Sequence, residues 1–285
     1  MTLIRWKPCC PQFVRAVCIS VVCSAFLIGT TAPAQSLPRP EHVVVVIEEN
    51  HAYSQIIGSS QAPYMNTLAS EGASFTQSYA ITHPSEPNYL ALFSGATHGV
   101  TNDSCPHSFT AANLGSELLA DGRSFTGFSE GLPTAGSEAC SSGEYARKHS
   151  PWTDFSSVPS KDNQPFSKFP GDFAALPTIS WVIPNLEDDM HDGTVQQADS
   201  WLQAHLQAYV TWAKKNNSLL IVTWDEDDNT STNKIPTIFV GPMVKPGKYG
   251  AKITHYNVLR TLEAMYGLPY AGNSASVATI AGVWQ

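Results

Sequence analysis

Short apolar runs that stop abruptly at polar residues dominate the chain. HVVVVIEEN (His42–Asn50) places five β-branched residues, Val43–Ile47, directly before two glutamates. A run that is apolar on both faces reads as a fully buried strand in the middle of a parallel sheet. TISWVI (Thr178–Ile183) and SLLIVTWDEDDN (Ser218–Asn229) repeat the form, and SFTGFSE (Ser124–Glu130) and PTIFVGP (Pro236–Pro242) add two further strands. Helical spacing lies between them. APYMNTLASEGASF (Ala62–Phe75) predicts a helix ended by Gly72, followed by a strand over Phe75–Ile81. HPSEPNYLALFSG (His83–Gly95) predicts a turn and then a helix stopped by Gly95. Asn113–Gly122, Ser200–Lys215 and Lys252–Gly267 predict three more helices, with a polar C-terminus after them. Strands alternating with helices place the chain in the α/β class with a mainly parallel sheet. Residues 131–172 break the rhythm: they are rich in Gly, Ser, Pro and isolated aromatics, and predict a long excursion over the functional edge of the sheet.

The first residues obey a different pattern. Arg5, Lys7 and Arg15 precede the apolar run Val17–Gly29, and TTAPAQS follows. That is the layout of a secretory signal peptide, cut after Ala34. Its apolar core is roughly 13 residues, against the ~20 that span a bilayer. The reading is therefore a leader over 1–34 and one α/β domain over 35–285, exported to the periplasm or beyond, with no stable membrane insertion. Cys9, Cys10, Cys18 and Cys23 would leave with the leader, and Cys105 and Cys140 would remain as a pair in an oxidising compartment, which predicts one disulfide. Sixteen Lys/Arg against 24 Asp/Glu give a net charge of −8, and loss of the three leader cations brings it to −11. Such a balance argues against nucleic acid or an anionic membrane surface as a general partner, and leaves room for a small phosphate ester at a locally cationic metal site.

The candidate chemistry gathers at strand ends. Glu48, Glu49 and Asn50 follow the first strand; Asp188, Asp189, His191 and Asp192 follow the Thr178–Ile183 strand; Asp225, Glu226, Asp227 and Asp228 follow the Ser218 strand. One acidic run after a strand is commonly a solvated turn. Three, at the edge where α/β sheets bind ligands, point to a cation among them. Carboxylates with one or two imidazoles suit Mg, Mn, Ca, Zn or Fe as divalent ions, and the lack of nearby cysteine disfavours a thiolate site. Glu48 and Glu49 alternate in direction, so one of them is expected to be a spectator. Ser85 falls in the turn before a helix, where serines are commonly caps but where an anion is also favoured.

Taken together and in this order, HVVVVIEENHAY, THPSEPNYLALFSG, IPNLEDDMHDG, TWDEDD and THYNVLRTLE resemble the bacterial and fungal phosphoesterase family of secreted acid phosphatases and phospholipase C-type enzymes. The resemblance spans roughly residues 41–270. It implies a three-layer α/β/α sandwich of the alkaline phosphatase type. It also implies metal ligands at Glu49, Asn50, Asp225 and Glu226, and Ser85 as phosphoryl acceptor and additional ligand. Asp188 or Asp189 with His191, and His255, would hold a second metal or the phosphate. Asn88 and the free N–H groups at the helix start would stabilise the phosphoryl oxygens, and His191, His255 or His83 would bind the phosphoryl group or protonate the leaving alkoxide. The activity implied is a metal-dependent acid phosphatase that hydrolyses small phosphate monoesters through a phosphoserine. The alternatives are a phospholipase C-type phosphodiesterase, or a secreted calcium-binding module without catalysis.

Overall fold

Val43–Ile47 form the central strand that their composition predicts, and every one of the five is fully buried. The computed structural model describes residues 1–9, 11, 37–230 and 232–285. Two compact units divide the chain, Met1–Ala34 and Gln35–Gln285. The apolar core of the expected leader and its cleavage point lie outside the described residues. No helix among the described residues is long and apolar enough to cross a membrane.

Along the second unit, β1 (His42–Glu48) is followed by α1 (Tyr53–Ile56), α2 (Pro63–Glu71), β2 (Ala73–Phe75), β3 (Ser78–Tyr79), α3 (Ser85–Ser94) and α4 (Leu114–Ala120). Then come β4 (Phe125–Ser129), β5 (Ser141–Ser142), β6 (Tyr145–Ala146), β7 (Asn163–Pro165), β8 (Ile179–Ile183) and α5 (Val195–Ala213). The chain closes with β9 (Ser218–Trp224), β10 (Lys234–Ile235), β11 (Thr237–Val240), β12 (Gly247–Tyr249), β13 (Ile253–Thr254) and α6 (His255–Tyr266). Eight strands make the main sheet in the order β12-β2-β11-β9-β1-β8-β4-β7. The β9-β1-β8-β4-β7 half is parallel throughout, whereas β11 runs antiparallel to both β9 and β2. The sheet is thus mixed and largely parallel.

Alternation along β1 explains the three layers. Val43, Val45 and Ile47 join the core beneath α3, α4 and α6, and Val44 and Val46 join the one beneath α2 and α5. Because β9 and β8 flank β1, the three strands expected to carry the chemistry are adjacent and end on the same edge. Helix α3 fills the space beside that edge so completely that all ten of its residues are buried. It stops at Gly95, whose φ of 73° closes the helix with an N–H bond to the Ala91 carbonyl.

Several boundaries move. The strand expected over Phe75–Ile81 is two pieces, β2 and β3, that belong to different sheets. Helix α5 begins at Val195, with Thr194 capping the Gln197 N–H, five residues before its amphipathic pattern becomes clear. The C-terminus, expected to be polar surface, returns to the core through Ile280, Val283 and Trp284. The excursion is also more ordered than its composition suggests. Single side chains anchor it: Trp152 is buried and donates to Asn163 Oδ1 at 2.9 Å, and the Arg147 guanidinium ties Glu138 O, Thr153 O and Asp154 Oδ1. Gly127 of β4 permits this, because a Cβ there would fall 2.0 Å from the Trp152 ring. The expected disulfide, Cys105–Cys140, joins the excursion to the loop before α4.

Two predictions follow from this packing. Gly127→Ala should lower the urea midpoint, by on the order of 1–3 kcal/mol of stability, since the indole has no room to retreat. Away from the sheet edge, burial raises Glu117 to about 8, helped by the charge of Glu263, and burial raises Glu263 to about 7 against the hydrogen bonds from Ser274 and Ala271. Both acids ionise near 4.5 when unfolded, so they favour the fold fully below that pH and lose this contribution as pH rises through 7–8. Urea midpoints should therefore fall from pH 5 to pH 9, and fall less in Glu117→Gln. An identical profile in the variant would refute the assignment.

Candidate metal centre and active site

Glu49 occupies the middle of the site. Beyond β1 the backbone turns at Asn50, which adopts a left-handed φ of 53° that asparagine tolerates better than most residues, and the Asn50 N–H donates to Asp225 Oδ1 at 3.1 Å. Glu49 itself is fully buried. Its Oε2 accepts from Ser85 Oγ at 3.1 Å, and its Oε1 accepts from Tyr89 Oη at 2.6 Å and lies 3.1 Å from His149 Nε2. Ser85 and Tyr89 both come from α3, four residues apart on one face.

Two groups of side chains meet at Glu49. On one side stand Ser85, Asp225 and Glu226, with the Ser85 hydroxyl close enough to ease the ionisation of both of the latter carboxylates. On the other are His149, stacked on Tyr89 at 5.0 Å, and His191. Glu49, His149 and His191 offer ligand atoms that all lie within 4.8 Å of one another, an arrangement suited to a divalent ion. Asp189 backs it: its Oδ2 is 3.4 Å from His149 Nδ1, its Oδ1 accepts the His191 N–H, and its carbonyl accepts the Glu49 N–H. Gly193 closes this loop, since a Cβ there would meet the Glu187 carbonyl at 1.9 Å.

The electrostatics point to a missing positive charge. Burial, and then the neighbouring acids, raise Glu49 well above the usual carboxylate range. Asp189 is raised to about 8, Asp225 to about 7 and Glu226 to about 9, in each case chiefly by burial. Burial pushes His149 well down, helped by Lys148 and His191. Buried Asp225 Oδ2 and Asp189 Oδ2 have no hydrogen-bond partner. A divalent cation among these acids would favour their ionised forms, so its uptake would be linked to proton release.

The neighbours are sorted less as expected. His191 lies in the ligand cluster, which removes it from the role of acid toward the leaving group. Its Nδ1 lies 2.7 Å from Asp192 Oδ1, which leaves Nε2, 3.3 Å from the Lys148 ammonium, as the ring nitrogen nearer to the cluster's cation. Asp188 points elsewhere, engaged by Asn185 and Gln197, so of the Asp188/Asp189 pair only Asp189 reaches the site. Asn88 is spent on scaffolding: its Oδ1 accepts from Ile81 and Thr82, and its amide donates to Thr82 O, Pro84 O and Glu226 Oε2. The start of α3 offers few free donors, because Glu86 N–H is taken by Asp103 and Pro87 has none. His255 is buried beneath Asp225, donating from Nε2 to its carbonyl at 2.7 Å, and burial lowers it to about 4. It braces Asp225 rather than meeting substrate. His83 clamps the acidic loop, with Nδ1 2.6 Å from Glu226 and Nε2 3.2 Å from Thr230 O. Glu48 and Glu49 are both buried, with Glu48 unpartnered on the opposite face of β1.

The residues that pattern reading missed are Lys148, His149, Tyr89 and Asp103. Lys148 is held by Asp103 Oδ2 at 2.9 Å and is the one ammonium facing these acids among the described residues. The available signal was ARKHSPW (Ala146–Trp152), a basic run inside an otherwise Gly/Ser-rich excursion.

Comparison with known proteins bears on this geometry. A model of the Phosphoesterase family matches residues 59–269. A phosphatidylinositol-3-phosphatase of Mycobacterium tuberculosis is 55% identical over 254 residues, covering 88% of this chain and 85% of that protein. An acid phosphatase of Aspergillus fumigatus is 30% identical over 229 residues, 73% of this chain, which spans only 51% of that longer protein. Among solved structures, an alkaline phosphatase superfamily protein from Vibrio parahaemolyticus aligns with a TM-score of 0.60 at 15% identity, over 87% of this chain and 72% of that one. A phosphonate monoester hydrolase from Silicibacter pomeroyi aligns with a TM-score of 0.57 at 12% identity, over 84% and 76%. These two show the shared fold.

Calorimetric titration of metal-depleted protein with Mn²⁺, Zn²⁺ or Ca²⁺ should show tight binding of at least one ion, with proton release and weaker affinity at pH 5 than at pH 8. Glu49→Gln should abolish it and His149→Ala should weaken it roughly 10–100-fold. Asp188→Asn should leave it unchanged. Full binding by Glu49→Gln would exclude this centre.

Proposed function

The chain belongs to the Phosphoesterase family and is a hydrolase of the phosphatase type, and from that premise we propose that it cleaves phosphate monoesters through a phosphorylated Ser85. The observation that carries the reading is the place of Ser85 Oγ, buried at the first position of α3 and donating to Glu49, the carboxylate that also belongs to the metal cluster. Glu49 with His149 and His191 would hold the divalent ion, and Asn50, Asp225 and Glu226 lie on the Ser85 side to complete its surroundings. When bound, such an ion lowers the pKa of the serine hydroxyl and offsets phosphoryl charge.

The chain's own groups do the rest. Ser85 Oγ attacks phosphorus in line as the ester P–O bond breaks, and its proton passes to Glu49 Oε2, to which it already donates. The departing alkoxide takes its proton from solvent. Lys148, held by Asp103, offsets charge on the phosphoryl oxygens, a task the occupied helix start and Asn88 leave open. Water then attacks the phosphoserine and gives up a proton to solvent; as the P–Oγ bond breaks, Glu49 returns its proton to Ser85 Oγ and inorganic phosphate leaves. The name of the mycobacterial relative extends the proposed substrates to lipid-borne monoesters such as phosphoinositides. A disulfide fits export to an oxidising compartment, with the residues after the leader acting as one domain.

The test is turnover of p-nitrophenyl phosphate against its bis-ester, with acid-quenched enzyme searched for phosphoserine. Wild type should favour the monoester at least tenfold and give phosphate on Ser85. Ser85→Ala should lose at least a hundredfold in kcat, and Lys148→Met should lose more in kcat than Lys148→Arg. Preference for the bis-ester would move the assignment to a phospholipase C-type phosphodiesterase. Full activity in Ser85→Ala would overturn the mechanism.

A further inference from the structure

The net negative charge of the chain hides a local reversal. From Asn229 to Leu262 it carries Lys234, Lys245, Lys248, Lys252 and Arg260 and no carboxylate. The fold draws three of these lysines together. Lys234 of β10 and Thr254 of β13 both pair with Tyr79 of β3, and Lys252, two residues before Thr254, sets its ammonium 5.1 Å from the Tyr79 ring. Lys234 sets its own 4.7 Å from the ring of Tyr53. Tyr53 also lines a groove of about 380 Å³ with Lys248, Ile57 and Asn66. Tyr53 and Tyr79 thus connect Lys234, Lys248 and Lys252 into one patch, with Lys245 exposed just before β12.

None of these four lysines is in an ion pair among the described residues, whereas Arg123, Arg147, Lys148 and Lys214 all are. One carboxylate, Asp228, shares a groove with Lys234, and it is engaged by Gln55. The patch is also linked to the loop that carries Glu226. The same Asp228–Thr230 segment that borders Lys234 supplies Thr230 O to His83, which in turn holds Glu226.

We propose that this Lys/Tyr patch docks the protein peripherally on an anionic lipid surface. Lysines with flexible stems above tyrosine rings suit a lipid–water boundary, where ammonium groups meet anionic headgroups and the rings sit among them. Such attraction is local and decays within about 10 Å, so the negative remainder of the molecule does not cancel it. No insertion is involved. The use of docking to reach a lipid-borne monoester rests on the function proposed above; docking itself does not.

The experiment is co-sedimentation of the mature protein with vesicles of phosphatidylcholine alone or with 30% phosphatidylserine, at low and high salt. Wild type should bind only the anionic vesicles and leave them at high salt. Lysines near such a surface contribute roughly fivefold each in affinity, so Lys234→Glu/Lys248→Glu/Lys252→Glu should lose about a hundredfold or more. Its turnover of p-nitrophenyl phosphate should be unchanged, which shows that fold and site survive. Lys161→Glu/Lys168→Glu/Lys215→Glu, with the same net charge, should bind vesicles like wild type. Equal loss in that control, or no anionic preference in wild type, would overturn the proposal. Retention on a polyanionic polysaccharide without vesicle binding would overturn it in favour of a different partner. Because sedimentation needs no turnover, failure of the phosphatase reading would appear separately, as absent hydrolysis with docking intact.

Discussion

The functional edge of this protein depends on one charge balance. Glu49, Asp189, Asp225 and Glu226 are carboxylates taken out of water, with Lys148 the one ammonium directed at them among the described residues. Ionising all of them together would cost far more than a domain's stability margin, so protons or a cation must be present. The surrounding structure is arranged around that requirement. Tyr89 and Ser85 donate to Glu49, Asn50 donates to Asp225, and His255 secures the Asp225 carbonyl from below. A cluster built in this way binds nothing well when fully protonated and binds a divalent ion strongly when it is not.

The parts of this arrangement that were legible in advance are those written into periodic structure. Val43–Ile47, Ile179–Ile183 and Ser218–Trp224 are buried on both faces, so their composition alone marks them as central strands, and the acids behind them must then emerge at one edge. Ser85 follows from the same logic, since Gly95 and the apolar run before it define α3 and leave the serine at its start. The antiparallel placement of β11 has no such signature, because PTIFVGP reads the same in either direction.

The excursion could not be read in this way. Its order comes from single long-range contacts, such as Trp152 against Gly127 and Arg147 against three acceptors, and contacts of that kind leave no period. Lys148 and His149 were invisible for the same reason. Individual roles were also misjudged where a side chain's partners decide the matter. Asn88 has the chemistry to bind phosphate, but five hydrogen bonds to four neighbours already use it; Asp188 has that of a ligand, but Asn185 and Gln197 hold it away. Net charge, for its part, says nothing of where the lysines gather.

The order of the sheet has one more consequence, for how the protein acquires activity. Glu49, Ser85, His149, His191 and Asp225 come from five separate stretches of chain, and the strands behind three of them are neighbours only once β1 has been inserted between β8 and β9. Such non-local pairings form late in folding, after loop closure has been met across most of the sequence. No fragment, and no collapsed state lacking the central strand, can bring these five residues together. Competence to bind an ion is therefore a report on completion of the whole domain, and an unfinished chain is inert rather than partly active.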